Sequence, residues 1–392
     1  MAINIPILMV AEFLRGLYFA YAVATLFYIS IGINYTQLSI LWLAMALVQA
    51  LLEIPFGIVS DRLGHRATIL LGYAAFCCTM ILIGSGVNLW LPLLGGAMWG
   101  VSSALLSGAT DAFLYDSLKQ EGRQHLYLKM KGRHAMVLSL GIVAGAIPGA
   151  YLYKLNGRFP WYAHAASIAL AFCIFLFSKN TPASAQAASN LTHWDHCRSS
   201  LRYIRGHKAL LWLTIVTTLG MLPLYGMSMA RQPYLVSRHV QVDHLGYAFS
   251  LMHVLGSVAG MLAHRIEKAL GLSRSLILAI ALLMVLFLQL CFTTGYWATV
   301  PMALLYACFR FLQVVLNAHS NHRIPSELRA TILSVQSMGG TFFLIAFMLT
   351  SGVILDCFSL NLYMLLMTGY LGVCVLPLWL LRKRFGIDGR IA

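Results

Sequence analysis

Apolar runs of about 20 residues recur along the whole chain, separated by polar links, and each is long enough to cross a bilayer core. Backbone amides in hydrocarbon have no water to bond, so such a chain can only become a helix bundle or a closed barrel. Barrel strands appear as short segments alternating apolar and polar residues, and these runs do not alternate. Only 10% of the 392 residues are charged and 60% are hydrophobic, whereas a soluble domain carries roughly a quarter charged residues. The expected fold is an all-α integral membrane bundle.

Twelve spans are predicted, near 5–30, 38–60, 67–88, 91–116, 133–154, 159–178, 208–232, 244–264, 274–292, 296–321, 330–353 and 361–381. The links are short except for 179–207, which opens as TPASAQAASN and continues as the basic HWDHCRSSLRYIRGHK. No link is large enough for a soluble catalytic domain. The first run, MAINIPILMV, lacks a basic n-region and is expected to be a retained helix, not a signal peptide. Almost all of the eight cysteines lie inside apolar runs, in no zinc or redox spacing, and read as small packing residues.

The formal charge of +15 has a topological explanation. With the N-terminus inside, the even-to-odd links collect Arg62, Arg66, Lys119, Arg123, Lys129, Lys131 and Arg133 in the first half. In the second half they collect Arg265, Lys268, Arg274, Arg323 and Arg329, and the tail adds Arg382, Lys383, Arg384 and Arg390. The opposite side holds only Lys154, Arg158, Arg231 and Arg238. Basic residues retained in the cytoplasm produce this asymmetry, so both termini are expected there and no nucleic-acid partner is needed.

The chain also repeats. Gly57-Ile-Val-Ser-Asp61-Arg62 after the second span has a counterpart in Gly260-Met-Leu-Ala-His264-Arg265 after the eighth. Asp111-Ala112 ends the fourth span and Asn317-Ala318 the tenth, while Arg133 and Arg329 open the fifth and eleventh. All pairs occur in the same order, which implies two parallel six-helix halves, 1–178 and 208–392, joined by a cytoplasmic linker at 179–207.

Placed between spans two and three of such a chain, Gly57-x-x-x-Asp61-Arg62-x-Gly64-x-Arg66 resembles the loop signature of the major facilitator superfamily. The resemblance implies a twelve-helix fold of two pseudo-symmetric bundles, with spans one, four, seven and ten lining a central cavity. It also implies a cytoplasmic gate: Gly57 admits a close helix, and Asp61 meets the positive N-terminal end of span eleven near Ala330. Arg62 and Arg66 are expected to pair with acids at inner helix ends, with Asp116 as the candidate. Gly141-x-x-x-Gly145 followed by Pro148-Gly149 is similar to the glycine–proline signature of drug–proton antiporters, although the proline is displaced. Glycine at this spacing also packs helices generally. Span four departs from the antiporter pattern, because Leu94–Gly100 contains no arginine.

A charge at bilayer depth costs at least about 2.5–3.5 kcal/mol and so faces a cavity or a partner. Glu12 and Arg15 lie in span one, Glu53 in span two, Asp111 in span four and Arg310 in span ten; spans three, six, nine and twelve have no charged residue. Arg310, Gln313, Asn317 and Ser320 form one polar face, and Ser103, Ser107, Asp111 and Tyr115 form another. Glu12 and Arg15 share a face with Phe19. Arg15 and Arg310 are expected to face each other from opposite halves, either binding an anionic group or neutralised by Glu12 and Asp111. An acid beside a mobile cation can then exchange protons as the cavity opens to either side. The alternative for Glu12 and Arg15 is a local i, i+3 pair that neutralises span one.

Weaker signals are His193-Trp194-Asp195-His196-Cys197, read as a surface helix before a metal site, and His319 with His322, read as a solvated helix end. The aromatics Tyr18, Phe19, Tyr21, Phe27 and Tyr28 could stack on a substrate on the face shared with Arg15. No GxxxxGK[ST] stretch occurs, so an ion gradient is the expected energy source. The expected function is a secondary active transporter working by alternating access, with no cofactor and no enzymatic role. It is expected to be a monomer in the bilayer, in a bacterial inner membrane. Proton-coupled efflux of a small amphiphilic compound is the first reading. Transport of an anionic metabolite such as a carboxylate siderophore is the second, and a transporter-like sensor is a remote third.

Overall fold

A computed structural model of the chain describes residues 3–180, 203, 206–324 and 329–382. The His193–Cys197 cluster, most of the 179–207 linker, the side chain of Ala330 and the tail beyond Arg382 lie outside the described residues. Among the described residues, eleven helices are long and apolar enough to cross a membrane, and Phe159–Phe175, at 17 residues, is a shorter apolar helix. It still rises about 25 Å, close to the hydrocarbon thickness, so the twelve expected spans are all present as helices.

The chain forms two compact units, and one segment departs from the expected boundary: Met1–Ala187 is joined by Gln241–Ser250, and the remainder is Ala188–Val240 with Leu251–Ala392. The first unit holds α1 (Asn4–Gly16), α2 (Ala24–Ser30), α3 (Tyr35–Leu63), α4 (His65–Gly84), α5 (Trp90–Gln120), α6 (Tyr127–Leu155) and α7 (Phe159–Phe175). Asn34 opens α3 with a reciprocal cap, its side chain accepting from the Gln37 amide at 2.8 Å while the Gln37 side chain accepts from the Asn34 amide at 3.1 Å. The turn from α3 to α4 is a single residue, Gly64, at φ +86°, a conformation that only glycine adopts without strain. This explains the second glycine of the loop signature in purely local terms.

Span one is not the continuous helix expected over 5–30. It breaks after Gly16, passes through a 3₁₀ turn at Phe19–Ala22 and resumes as α2. No proline lies at the break. Instead, α6 presses its glycine face against it: a Cβ on Gly141 would sit 2.5 Å from the Phe13 carbonyl oxygen, and one on Gly145 2.8 Å from the Leu17 carbonyl carbon. A Cβ on Gly149 would collide with the Phe19 carbonyl oxygen. The antiporter-like glycines therefore act as a backbone-to-backbone contact between span five and the broken segment of span one.

Asn4, buried at the start of α1, ties three span ends together. Its amide donates to the Lys179 carbonyl at 3.1 Å and to Ser117 Oγ at 3.4 Å, and its oxygen accepts from the Lys179 amide at 2.8 Å. The segment 241–250 packs against α6. Lys154 Nζ lies 2.7 Å from Asp243 Oδ2, and Ser250 Oγ donates to the Val143 carbonyl at 3.2 Å.

The second unit holds α8 (Lys208–Ser237), most of α9 (Leu245–Leu270), α10 (Leu272–Leu290), α11 (Thr299–His322), α12 (Arg329–Cys357), α13 (Leu360–Tyr370) and α14 (Leu376–Leu380). Span twelve is interrupted by a π-helical turn at Leu371–Val375. Gly271, at φ +76°, makes the single-residue turn from α9 to α10 and is the counterpart of Gly64. Counted from Gly57 and from Gly260, the second turn comes about one helical turn later than the first. The buried Trp212 donates from Nε1 to the Leu378 carbonyl at 2.7 Å, and the half-buried Tyr370 donates from its OH to the Leu219 carbonyl at 3.0 Å.

Candidate functional site

Glu12 is fully buried in the first unit, and three side chains converge on it. Arg15, one turn along α1, donates from Nε to Oε1 at 3.0 Å and from Nη2 to Oε2 at 2.5 Å. Tyr73 OH of α4 donates to Oε1 at 2.8 Å, and His134 Nε2 of α6 lies 3.1 Å from Oε2. A carboxylate deprived of water needs such partners, since an uncompensated charge there would cost several kcal/mol. The local i, i+3 pairing is thus the one that forms, and Arg15 is neutralised by its neighbour in α1.

The break in span one adds a second polar group. In a continuous helix the Phe19 amide would bond the Arg15 carbonyl; here it bonds the Leu17 carbonyl at 2.9 Å. The freed Arg15 carbonyl accepts instead from His164 Nε2 of α7 at 3.1 Å. The His164 ring packs on Tyr18, with centroids 4.8 Å apart. Irregular backbone at this depth is tolerated where a side chain satisfies it or where it borders a cavity, and both hold here. Arg15, Trp99, Ser103, Ser107, Asp111 and His134 are among the residues lining an adjoining cavity of about 220 Å³.

Three members of the expected span-four stripe, Ser103, Ser107 and Asp111, line that cavity, and Tyr115 does not. Asp111 is exposed at the cavity edge and bonds Lys131 Nζ at 2.6 Å, with both side chains nearly half accessible. Its neutralising partner is Lys131, not either deep arginine. Phe19 is not among the lining residues; it contributes its carbonyl to the contact with Gly149. Glu53 is exposed and makes no ion pair among the described residues.

The loop signature is arranged differently from the expected gate. Asp116 receives neither arginine. His65 takes that place, with Nε2 3.4 Å from Asp116 Oδ2 and Nδ1 2.9 Å from Ser60 Oγ. Arg66 turns to the end of α7, donating to the Leu176 carbonyl at 2.6 Å and to Ser178 Oγ at 3.3 Å. The reason is reach: Gly64 turns the chain so that His65 opens α4 beside α5, while Arg66 emerges next to α7. Asp61 and Arg62 are exposed, and a Cβ on Gly57 would meet nothing within 4 Å.

In the second unit, α8, α11 and α12 enclose a cavity of about 470 Å³. Gln313, Asn317 and Ser320 of the expected span-ten stripe line it. Arg310 does not; it is exposed and its Nη1 donates to Gln313 Oε1 at 2.6 Å. The rest of the polar lining is hydroxyl and amide, including Thr214, Thr217, Thr218, Asn321 and Gln336. His319, expected at a solvated end, is buried, with Nε2 3.4 Å from Glu267 Oε1.

Sequence reasoning missed Tyr73, His134 and His164, which reach the site only through packing of α4, α6 and α7 on α1. The threonines of span seven did leave a signal. Thr214, Thr217, Thr218 and Met221 follow i, i+3, i+4, i+7, one face of a helix, in a span without a central charge.

The sequence model of the Major Facilitator Superfamily matches residues 7–347. The uncharacterized MFS-type transporter YxaM of Bacillus subtilis is 22% identical over 349 residues, covering 86% of this chain and 85% of that protein. The class E tetracycline resistance protein of Escherichia coli is 25% identical over 300 residues, covering 74% and 72%. A mutant form of the nucleoside transporter NupG has the same fold, with a TM-score of 0.81 at 13% identity over 97% of this chain and 99% of that one. A multi-pass membrane chain of two helical repeats that matches this family over nearly its full length is a transporter and not an enzyme: it belongs to the major facilitator superfamily.

Proposed function

We propose that the protein is a proton-coupled exporter of a small amphiphilic molecule. In this reading Glu12, Arg15, Tyr73 and His134 are the proton-coupling group, and the chain sits in a bacterial inner membrane with both termini in the cytoplasm. The observation that carries it is the fully buried Glu12, held by an arginine, a tyrosine and a histidine beside a polar cavity. The histidine, 3.1 Å from the carboxylate, adds a second proton-carrying group, and it lines the cavity. Asp111, exposed and paired with Lys131, serves as an entry-side charge and not as the relay. The tetracycline-resistance relative supports the export direction.

The test uses everted membrane vesicles carrying the full chain, energised to acidify the interior, with tetracycline as the first probe. Accumulation should collapse on adding a protonophore and be absent in Glu12→Gln. Accumulation that survives either treatment overturns the coupling assignment. A second reading, transport of a carboxylate, is favoured by one observation: Arg310 has no carboxylate partner among the described residues. Uptake of citrate that is abolished in Arg310→Gln would select it.

A further inference from the structure

The cavity enclosed by α8, α11 and α12 is large enough for a ligand, and among the described residues its lining holds no ionisable side chain other than Tyr225. At about 470 Å³ it lies inside the roughly 300–1,000 Å³ range of small-molecule sites, whereas the charged cavity of the first unit, at about 220 Å³, lies below it. In a chain with a net charge of +15, a cavity whose described lining is free of Lys, Arg, His, Asp and Glu is a selective feature.

Its polar groups are also incompletely used. Thr217 Oγ1 and Asn321 Oδ1 are buried and have no hydrogen-bond partner among the described residues. The Asn317 amide, which both donates and accepts, makes no hydrogen bond among them either, while Thr214 and Gln336 bond each other at 2.5 Å. A buried polar atom left unpaired has lost its water without replacement, so a ligand that pairs it gains more than it would from water-exposed groups. A carboxylate would use only the donors and bring an uncompensated charge. A lipophilic cation would use only the acceptors. A solute with several hydroxyl or amide groups satisfies both, and Met221 and Leu344 offer an apolar edge for its ring.

We infer that this cavity recognises the cargo and takes an uncharged, polyhydroxylated molecule, a sugar or a nucleoside, held by neutral hydrogen bonds. The inference rests on the transport reading above and specifies its substrate class; the amphiphile's polar end is neutral.

The test is equilibrium binding to the purified full chain in detergent, without any gradient, so that it is independent of proton coupling. Uridine and methyl β-D-glucopyranoside are the uncharged probes, with citrate and tetraphenylphosphonium as the charged ones. One uncharged probe should bind with an affinity unchanged between low and high salt, and which one binds separates nucleoside from sugar. Asn317→Leu and Thr217→Val should each weaken it about tenfold. Asn317 is exposed, so its replacement reports on binding even if Thr217→Val lowers stability. Binding of the charged probes alone, binding of none of the four, or uncharged binding that survives both substitutions overturns the inference. Loss of protonophore sensitivity with intact uridine or glucoside binding overturns only the coupling reading.

Discussion

The two units were built from one repeated pattern and differ most where they are polar. In the first, a fully buried carboxylate collects an arginine, a tyrosine and a histidine, and the helix that carries it is broken. In the second, threonines and amides line a larger cavity with no formal charge among its described residues, and the equivalent span, α8, runs unbroken through two prolines. What they share is a histidine–carboxylate contact near a turn: His65 with Asp116 in the first, His319 with Glu267 in the second. The helix pairs differ: His65 opens α4 against Asp116 of α5, whereas Glu267 lies near the end of α9 against His319 of α11. A duplicated scaffold can thus keep a clasp at the helix ends while one interior becomes electrostatic and the other hydrogen-bonding.

The sharpest way to break this contrast is to remove one arginine from each unit. Arg15→Met strands Glu12 in the interior and should cost about 3–5 kcal/mol, read as a large fall in the thermal unfolding midpoint in detergent. Arg310→Met removes an exposed arginine bonded only to Gln313 and should change stability by less than about 1 kcal/mol. Equal effects would mean that the units are not electrostatically distinct.

Glycines give the next comparison. Gly149→Ala drives a methyl into the Phe19 carbonyl and should cost about 1–3 kcal/mol, with a matching loss of transport as span one shifts. At Gly340 a Cβ would meet Thr218 at ordinary contact distances, 3.6 Å from Oγ1 and 3.9 Å from Cγ2, so Gly340→Ala should be neutral or stabilise by up to about 1 kcal/mol. The same unfolding assay reads both.

The smallest expected effect separates two acids of the first unit. Lys131→Met breaks an exposed pair and should cost less than about 1 kcal/mol. Proton-driven flux in that variant should stay near the unaltered level, while Glu12→Gln loses it. Flux lost in Lys131→Met at unchanged stability would return the relay to Asp111.

Much of the fold was legible along the chain, because bilayer thickness and backbone hydrogen bonding leave few solutions for long apolar runs. Repeated turns at equivalent positions, with Gly64 and Gly271 both at positive φ, could be anticipated from the loop signature in one half and less clearly in the other. The span-ten face also held for Gln313, Asn317 and Ser320, since helical periodicity places them together without knowledge of any neighbour. Arg310 fell outside it because a long, flexible side chain found Gln313 one turn away.

The sequence by itself determined that this chain crosses a membrane about twelve times, that it is a twofold repeat and that few charges are buried. Those follow from length, periodicity and composition, which are local or additive properties. Only the tertiary structure decided which partner each charge takes: Glu12 with Tyr73 and His134, Asp116 with His65 and not with an arginine, Asp111 with Lys131. Partner choice at short range depends on helix rotation and on where a backbone is pressed open, as the glycine face of α6 does to span one. Those are set by packing among several helices at once, and no single helix's sequence contains them.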